Sequence, residues 1–246
     1  MSDTTTEILP SRWDANASFW VQIIREHRDK YRNELTDPAM LKAIGEPAGL
    51  AVLDAGCGEG YLSRILASNG ATVTGVDSSA RLIEAARTQN PADALPVSFD
   101  VGSVDELPYQ DSTFDLVVCN HLINDLYDPS KPISEFARVL RSGGRLIILM
   151  LHPCFYNKHA ERDQATNGMI ASSYFETRSI EQVFEVGGLT SLRPTLRGSG
   201  PWSSTPRSCA SPASRSPASL SHTRHRNKYG QTAGGVRDSQ GHCSCS

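Results

Sequence analysis

The stretch VLDAGCGEG, residues 52–60, decides how this chain folds. Val52 and Leu53 run into Asp54, and glycines follow at 56, 58 and 60. An apolar run that ends in an acid and a glycine predicts a buried central parallel strand. The alternate glycines permit a tight turn with positive φ, and they let a ligand approach backbone that a Cβ would shield.

Working outward, the same alternation recurs. Upstream, Phe19, Trp20, Ile23, Ile24 and Tyr31 fall largely at helical spacings. They predict an amphipathic helix of about four turns before Asp37-Pro38, with a short helix around residues 39–44 after it. Downstream, Leu62, Ile65 and Leu66 form a helical stripe that stops at Asn69-Gly70. ATVTGVD (71–77) is a second strand, and Leu82, Ile83 and Ala86 mark a helix ending at Asn90-Pro91. PVSFDV (96–101) and FDLVVCN (114–120) read as strands three and four. A helix begins near Pro132, buries Ile133, Phe136, Val139 and Leu140, and is expected to end at Gly143-Gly144. RLIILML (145–151) is strand five. Strands alternating with helices imply right-handed crossovers and an α/β, doubly wound, mostly parallel sheet.

A chain of 246 residues holds one sizeable domain plus extensions. The net charge is −3 and the first 190 residues hold no block of like charge, so neither nucleic acid nor an anionic membrane is expected as partner. A small-molecule or protein substrate fits better. No apolar run reaches membrane-span length and the N-terminus lacks the pattern of a signal peptide, so a cytoplasmic location is expected. The six cysteines are read as free thiols.

Composition changes near residue 190. Lys and Arg number 16 against 26 Asp and Glu in residues 1–190, but 8 against 1 in residues 191–246, where 13 of 56 residues are serine. No helical or strand period is legible there, so the segment is expected to be disordered or poorly packed. Its charges are spaced out, without the interleaved aromatics of an RNA-binding tail. His242, Cys243 and Cys245 lack a second ligand pair at zinc-site spacing, and no metal is expected.

In a doubly wound sheet, ligands sit beyond the carboxyl ends of the strands. A dinucleotide fingerprint starting at Gly56 would need glycine or alanine at position 61, where Tyr61 stands. Asp54 and Glu59 bracket the loop; two carboxylates would repel a pyrophosphate and suit a ligand carrying an ammonium and a sulfonium. Glu59 can also be read as a first-turn acid complementing the helix dipole, which leaves Asp54 unexplained. Asp77 closes strand two, 17 residues beyond Gly60, close to the separation at which an acid reaches ribose hydroxyls.

VLDAGCGEG, VTGVDSS, DVGSVDELPYQDSTFDLVVCN and FARVLRSGGRLIILMLHP, in that order, resemble the signature segments of small-molecule class I methyltransferases of the ubiquinone/menaquinone C-methylase-like type. The resemblance covers residues 13–190. It implies a Rossmann-like fold, S-adenosylmethionine as cofactor and a small-molecule methyl acceptor. Asp54, Gly56 and Gly58, with Cys57 between them, would surround the methionine part of the cofactor. Asp77 would hold the ribose with Ser78 beside it. Ser103-Val104 stands where such proteins usually have an acid and a small residue, with the hydroxyl a weaker acceptor for the adenine amino group. Asn120 and His121 would line the methionine end and the transfer channel.

If the acceptor is a hydroxyl or a carbon acid, His121 and His152 are the candidate bases, since both follow strands at the active edge. Each can equally be a packing histidine. Asn124 and Asp125 can orient a substrate or cap the next helix, and Cys119 reads as a small buried apolar residue. The first helix is expected to cover the site, with Tyr31 and Arg32 toward the cofactor. Phe155, Tyr156, Tyr174 and Phe175 lie where relatives place acceptor recognition.

The expected organisation is therefore an N-terminal helical cap (1–48), a cofactor-binding core (49–152), a substrate-recognition region (153–190) and an atypical tail (191–246). By the resemblance a complete fold has two more strands after the fifth, and the tail supplies nothing resembling them; a reading-frame break starting between residues 188 and 193 is the expected cause. A non-catalytic cofactor-binding remnant and a nicotinamide-dependent oxidoreductase are the alternative readings. The acceptor and the oligomeric state are left open.

Overall fold

A computed structural model describes residues 12–90, 95–126, 128–151, 160–171 and 178–199. Five parallel strands form the central sheet: β1 (Ala51–Ala55), β2 (Thr72–Asp77), β3 (Val97–Val101), β4 (Phe114–Asn120) and β5 (Leu140–Leu149). Their order is β3-β2-β1-β4-β5, the α/β doubly wound arrangement expected from the sequence. β1 and β4 are buried along almost their whole length because both faces are covered. Leu53, Val117, Phe136 and Val139 pack on one side of the sheet, and Val52, Leu66, Leu116 and Val118 on the other.

Among the described residues, the helices α1 (Ala17–Arg25), α2 (Asp37–Ile44), α3 (Tyr61–Ser68), α4 (Ala80–Gln89) and α5 (Ser130–Val139) flank or extend this core. Two differ from expectation. The predicted four-turn first helix stops at Arg25. His27 takes the left-handed conformation (φ 51°), its N–H donates to Ile24 O, and the Arg28 N–H reaches back to Ile23 O. That pairing is a Schellman stop built on histidine instead of glycine. A second helical run then continues through Asp37-Pro38 instead of ending before it. Pro38 has no N–H to offer the preceding turn, and the helix widens into a π-turn, Arg32–Thr36, in which Asp37 N–H bonds Arg32 O.

The other departure is at α5, which ends at Val139, not at Gly143-Gly144. Those glycines lie inside β5, where the register with β4 jumps from Phe114↔Leu140 to Leu116↔Arg145. Gly143 has φ 81°, and a Cβ on Gly144 would stand 2.9 Å from Arg141 O and 3.1 Å from Asp115 O. The pair serves a strand bulge.

Beyond β5 lie three small antiparallel pairs: β6 (Ala160–Arg162) with β7 (Met169–Ala171), β8 (Arg178–Gln182) with β11 (Thr195–Ser199), and β9 (Glu185–Val186) with β10 (Leu189–Thr190). The β9–β10 hairpin turns on Gly187 and Gly188, both at positive φ, the geometry of a two-residue primed turn. Ordered packing thus continues through the compositional change at residue 190. Ser191 and Thr195 are buried, Ser191 N–H donates to Phe184 O, and β11 is a strand where no strand period is legible. Among the described residues no helix is long and apolar enough to cross a membrane.

Candidate functional site

The carboxyl ends of the strands open into a cavity of about 1110 Å3. That exceeds the range of roughly 300–1,000 Å3 usual for a single drug-sized ligand, so there is room for a cofactor together with an acceptor. Its floor is the glycine loop and its roof is the N-terminal helical segment with the β9–β10 hairpin, which contribute Trp20, Arg32, Phe184 and Val186.

The loop keeps its shape through its own backbone. Gly56 N–H and Cys57 N–H both donate to Val76 O, at 2.8 and 3.0 Å. Gly56, Gly58 and Gly60 all have positive φ. A Cβ at Gly60 would stand 2.5 Å from the Phe99 ring, whereas one at Gly58 would meet nothing within 4 Å, which leaves the backbone open at that point. Cys57 lines the cavity, but its thiol packs with Ile83, Ala86 and Phe99, and burial holds it well above its ordinary pKa. No reactive thiolate stands there.

Asp54 is 1% exposed and accepts from Ser63 Oγ at 2.6 Å. Burial pushes its carboxyl up to about 6, partly offset by that hydrogen bond, while Asp77 nearby pushes it further up. Asp77 accepts from Gly58 N–H and from Ser79 N–H, both at 2.9 Å. Burial raises its pKa more than those two bonds lower it. Each carboxylate oxygen has a further lone pair for a ligand hydroxyl. Ser79 caps α4 and donates in turn to Asp14, so the N-terminal segment is tied to the loop after β2.

Glu59 requires a correction. It is 1% exposed, yet its charge is matched within the protein. Arg64 Nη2 lies 2.8 and 3.0 Å from its two oxygens, and Arg25 Nε lies 3.4 Å from one of them. The negative field at the floor comes from Asp54 and Asp77, and Glu59 joins α1 to α3.

Asn120 follows directly on the β1–β4 register pair Ala55↔Cys119, alongside the first glycine of the loop. Its Nδ2 donates to Tyr61 Oη at 2.8 Å, and Tyr61 Oη donates to Asp37 Oδ1 at 2.7 Å. Asn120 Oδ1 is buried and has no hydrogen-bond partner among the described residues. Leaving such an acceptor unsatisfied costs about 1–3 kcal/mol, so it marks a place for a donor. His121 has φ 62°, a conformation that non-glycine residues seldom adopt away from turns and functional sites. Its ring Nε2 lies 3.4 Å from Thr36 Oγ1.

The cavity wall thus unites Asp54, Gly56, Cys57, Gly58, Asp77, Ser78, Ser103, Val104, Asn120 and His121, all singled out from sequence. His152, Phe155, Tyr156, Tyr174 and Phe175 lie outside the described residues. Asn124 lies outside the cavity lining and clamps the backbone of Leu151, donating to its carbonyl and accepting from its N–H. Tyr31 lines the cavity while 54% exposed, and the Arg32 guanidinium stacks 4.5 Å above the Tyr61 ring. Sequence reading missed Thr36, Asp37 and the hairpin residues Phe184 to Gly187. The Gly187-Gly188 pair was the available signal for the hairpin.

Residues 53–148 match the family described as a methyltransferase domain. The ubiquinone biosynthesis O-methyltransferase of Coxiella burnetii (strain Dugway 5J108-111) is 34% identical over 124 residues, which are 49% of this chain and 53% of that protein. The chain therefore spans about half the length of the curated relatives it matches. Among solved structures, a chain of the complex between the Haloferax volcanii Trm112 methyltransferase activator and a methyltransferase is 28% identical. It has a TM-score of 0.50, with 57% of this chain and 59% of that one covered. An S-adenosylmethionine-dependent methyltransferase structure from Listeria monocytogenes, 18% identical with a TM-score of 0.52, covers 64% of this chain and 72% of its own and shares the fold.

Proposed function

We propose, from the match of residues 53–148 to a methyltransferase domain and from the doubly wound sheet that carries it, that this chain transfers a methyl group from S-adenosylmethionine to a small-molecule acceptor. The observation that carries the reading is the cavity floor: two carboxylates, an open glycine backbone and one unsatisfied amide oxygen converge there. These residues fit the cofactor. Asp77 suits vicinal ribose hydroxyls, Asp54 suits a cationic group, and Gly58 leaves room where a side chain would project. When bound, the cofactor supplies an electrophilic methyl group on a sulfonium.

The protein's own contribution is then alignment and exclusion of water. The roof residues Trp20, Phe184 and Val186 close the acceptor side with apolar surface. His121 is the base proposed for an acceptor hydroxyl, because its ring lines the cavity beside the end of β4. The relative from Coxiella burnetii is an O-methyltransferase of ubiquinone biosynthesis, which supports an oxygen nucleophile as the acceptor class.

Calorimetric titration with S-adenosylmethionine and S-adenosylhomocysteine, followed by transfer of a labelled methyl group to a panel of phenols and catechols, tests this. Micromolar binding with transfer is expected. Binding without transfer to any acceptor would identify a cofactor-binding remnant, and failure of both titrations would overturn the reading.

A further inference from the structure

We propose that Asp37 and Tyr61 are positioning residues: the relay Asn120→Tyr61→Asp37 holds the Asn120 carboxamide with its oxygen toward the cavity, where it receives the ammonium of the cofactor. The inference rests on the methyltransferase reading above.

The argument is one of proton accounting. The Asp37 carboxylate only accepts, so the 2.7 Å contact uses the single hydroxyl proton of Tyr61. The Tyr61 oxygen must then accept at its 2.8 Å contact with Asn120, which only the amide nitrogen can satisfy. The carboxamide is thereby turned, and its oxygen is left without a donor among the described residues although Asn120 is only 8% exposed. The relay is held from outside: Arg32 stacks on the Tyr61 ring at 4.5 Å and lies 3.8 Å from Asp37. The π-turn brings Arg32 to the cavity on the same stretch of helix that presents Asp37. A buried acceptor beside the Asp54 floor favours a charged N–H donor over a neutral one.

Two ligands separate this role from general damage. S-adenosylhomocysteine carries the ammonium; 5′-methylthioadenosine shares its nucleoside and thioether but lacks the amino-acid end. Tyr61→Phe keeps the ring and its stacking but releases the amide. It is expected to weaken S-adenosylhomocysteine about five- to tenfold, while 5′-methylthioadenosine changes less than about twofold. Asn120→Leu should show the same selectivity with a larger loss, and adding Tyr61→Phe to it should cost nothing further. Equal losses for both ligands, or additive losses in the double variant, would overturn the relay. If Tyr61→Phe does not fold, as read by thermal unfolding, Asp37→Ala, which removes the acceptor of the Tyr61 proton, decides with the same ligand pair. Wild-type protein that binds neither ligand overturns the methyltransferase reading and the relay with it; wild-type binding without the selectivity overturns the relay alone.

Discussion

Asn16 and the backbone of Arg193 are joined by two reciprocal hydrogen bonds: Asn16 Nδ2 donates to Arg193 O at 2.9 Å, and Arg193 N–H donates to Asn16 Oδ1 at 3.0 Å. Asn16 is fully buried. Asn16→Ala removes both partners of the Arg193 backbone in two part-buried hydrogen bonds, so a loss of about 1–2 kcal/mol in unfolding free energy is expected from urea denaturation. A change under about 0.5 kcal/mol would show that the segment around residue 193 does not pack as described.

Gly60 combines φ 78° with a site where a Cβ would stand 2.5 Å from the Phe99 ring. Gly60→Ala adds left-handed strain to overpacking, together about 2–4 kcal/mol, and should lower the thermal midpoint. Gly58→Ala has the strain (φ 57°) without the clash. It should be the milder of the two for stability and the more damaging for cofactor affinity.

Asp77→Ala removes the acceptor proposed for both ribose hydroxyls and releases two backbone N–H groups. Cofactor affinity should fall at least about tenfold by calorimetry, since each charge-assisted bond contributes about 1.5–3 kcal/mol. Unchanged affinity would remove Asp77 from the binding residues.

Asp54 sets a pH dependence. Its folded carboxyl is raised to about 6 from an ordinary 3.8. A raised folded pKa means that the folded state holds the proton more tightly. The group's contribution to stability is therefore full below the ordinary value and is lost as pH rises through about 6. Binding of a cation runs the other way, because it needs the ionised form. Affinity for S-adenosylmethionine should drop by roughly tenfold per pH unit below about 6, and Asp54→Asn should bind weakly with a flattened profile. A flat wild-type profile between pH 5 and 7.5 would contradict the assignment.

Much of this architecture was legible because its signals are local. The apolar run into Asp54, the glycines at 56, 58 and 60, and Asp77 at the end of β2 need only periodicity and spacing to be read. The errors fall where one residue does unusual work. His27 terminates α1 in a conformation normally given to glycine, Pro38 is absorbed by a π-turn, and Gly143-Gly144 forms a bulge instead of a helix end. Glu59 was misread because its partners Arg64 and Arg25 are set by tertiary packing. The Asp37–Tyr61–Asn120 relay joins three separate elements, so no spacing rule could have exposed it. The contacts that hold Ser191, Arg193 and Thr195 were likewise hidden from a reading by period, because their partners Phe184, Asn16 and Gln182 are set by tertiary packing.

Arg28 Nη1 donates to Gly187 O across 159 residues, joining the two parts of the cavity roof. On the ribosome, at about 5–20 residues per second, roughly 10–30 s separate the emergence of these two partners. The strands that carry the floor are all synthesised within that interval, so the contact that joins the roof is among the last that the growing chain can make. Exposure to aggregation and the chaperone demand of a slowly completed long-range contact are consequences of where the roof is encoded.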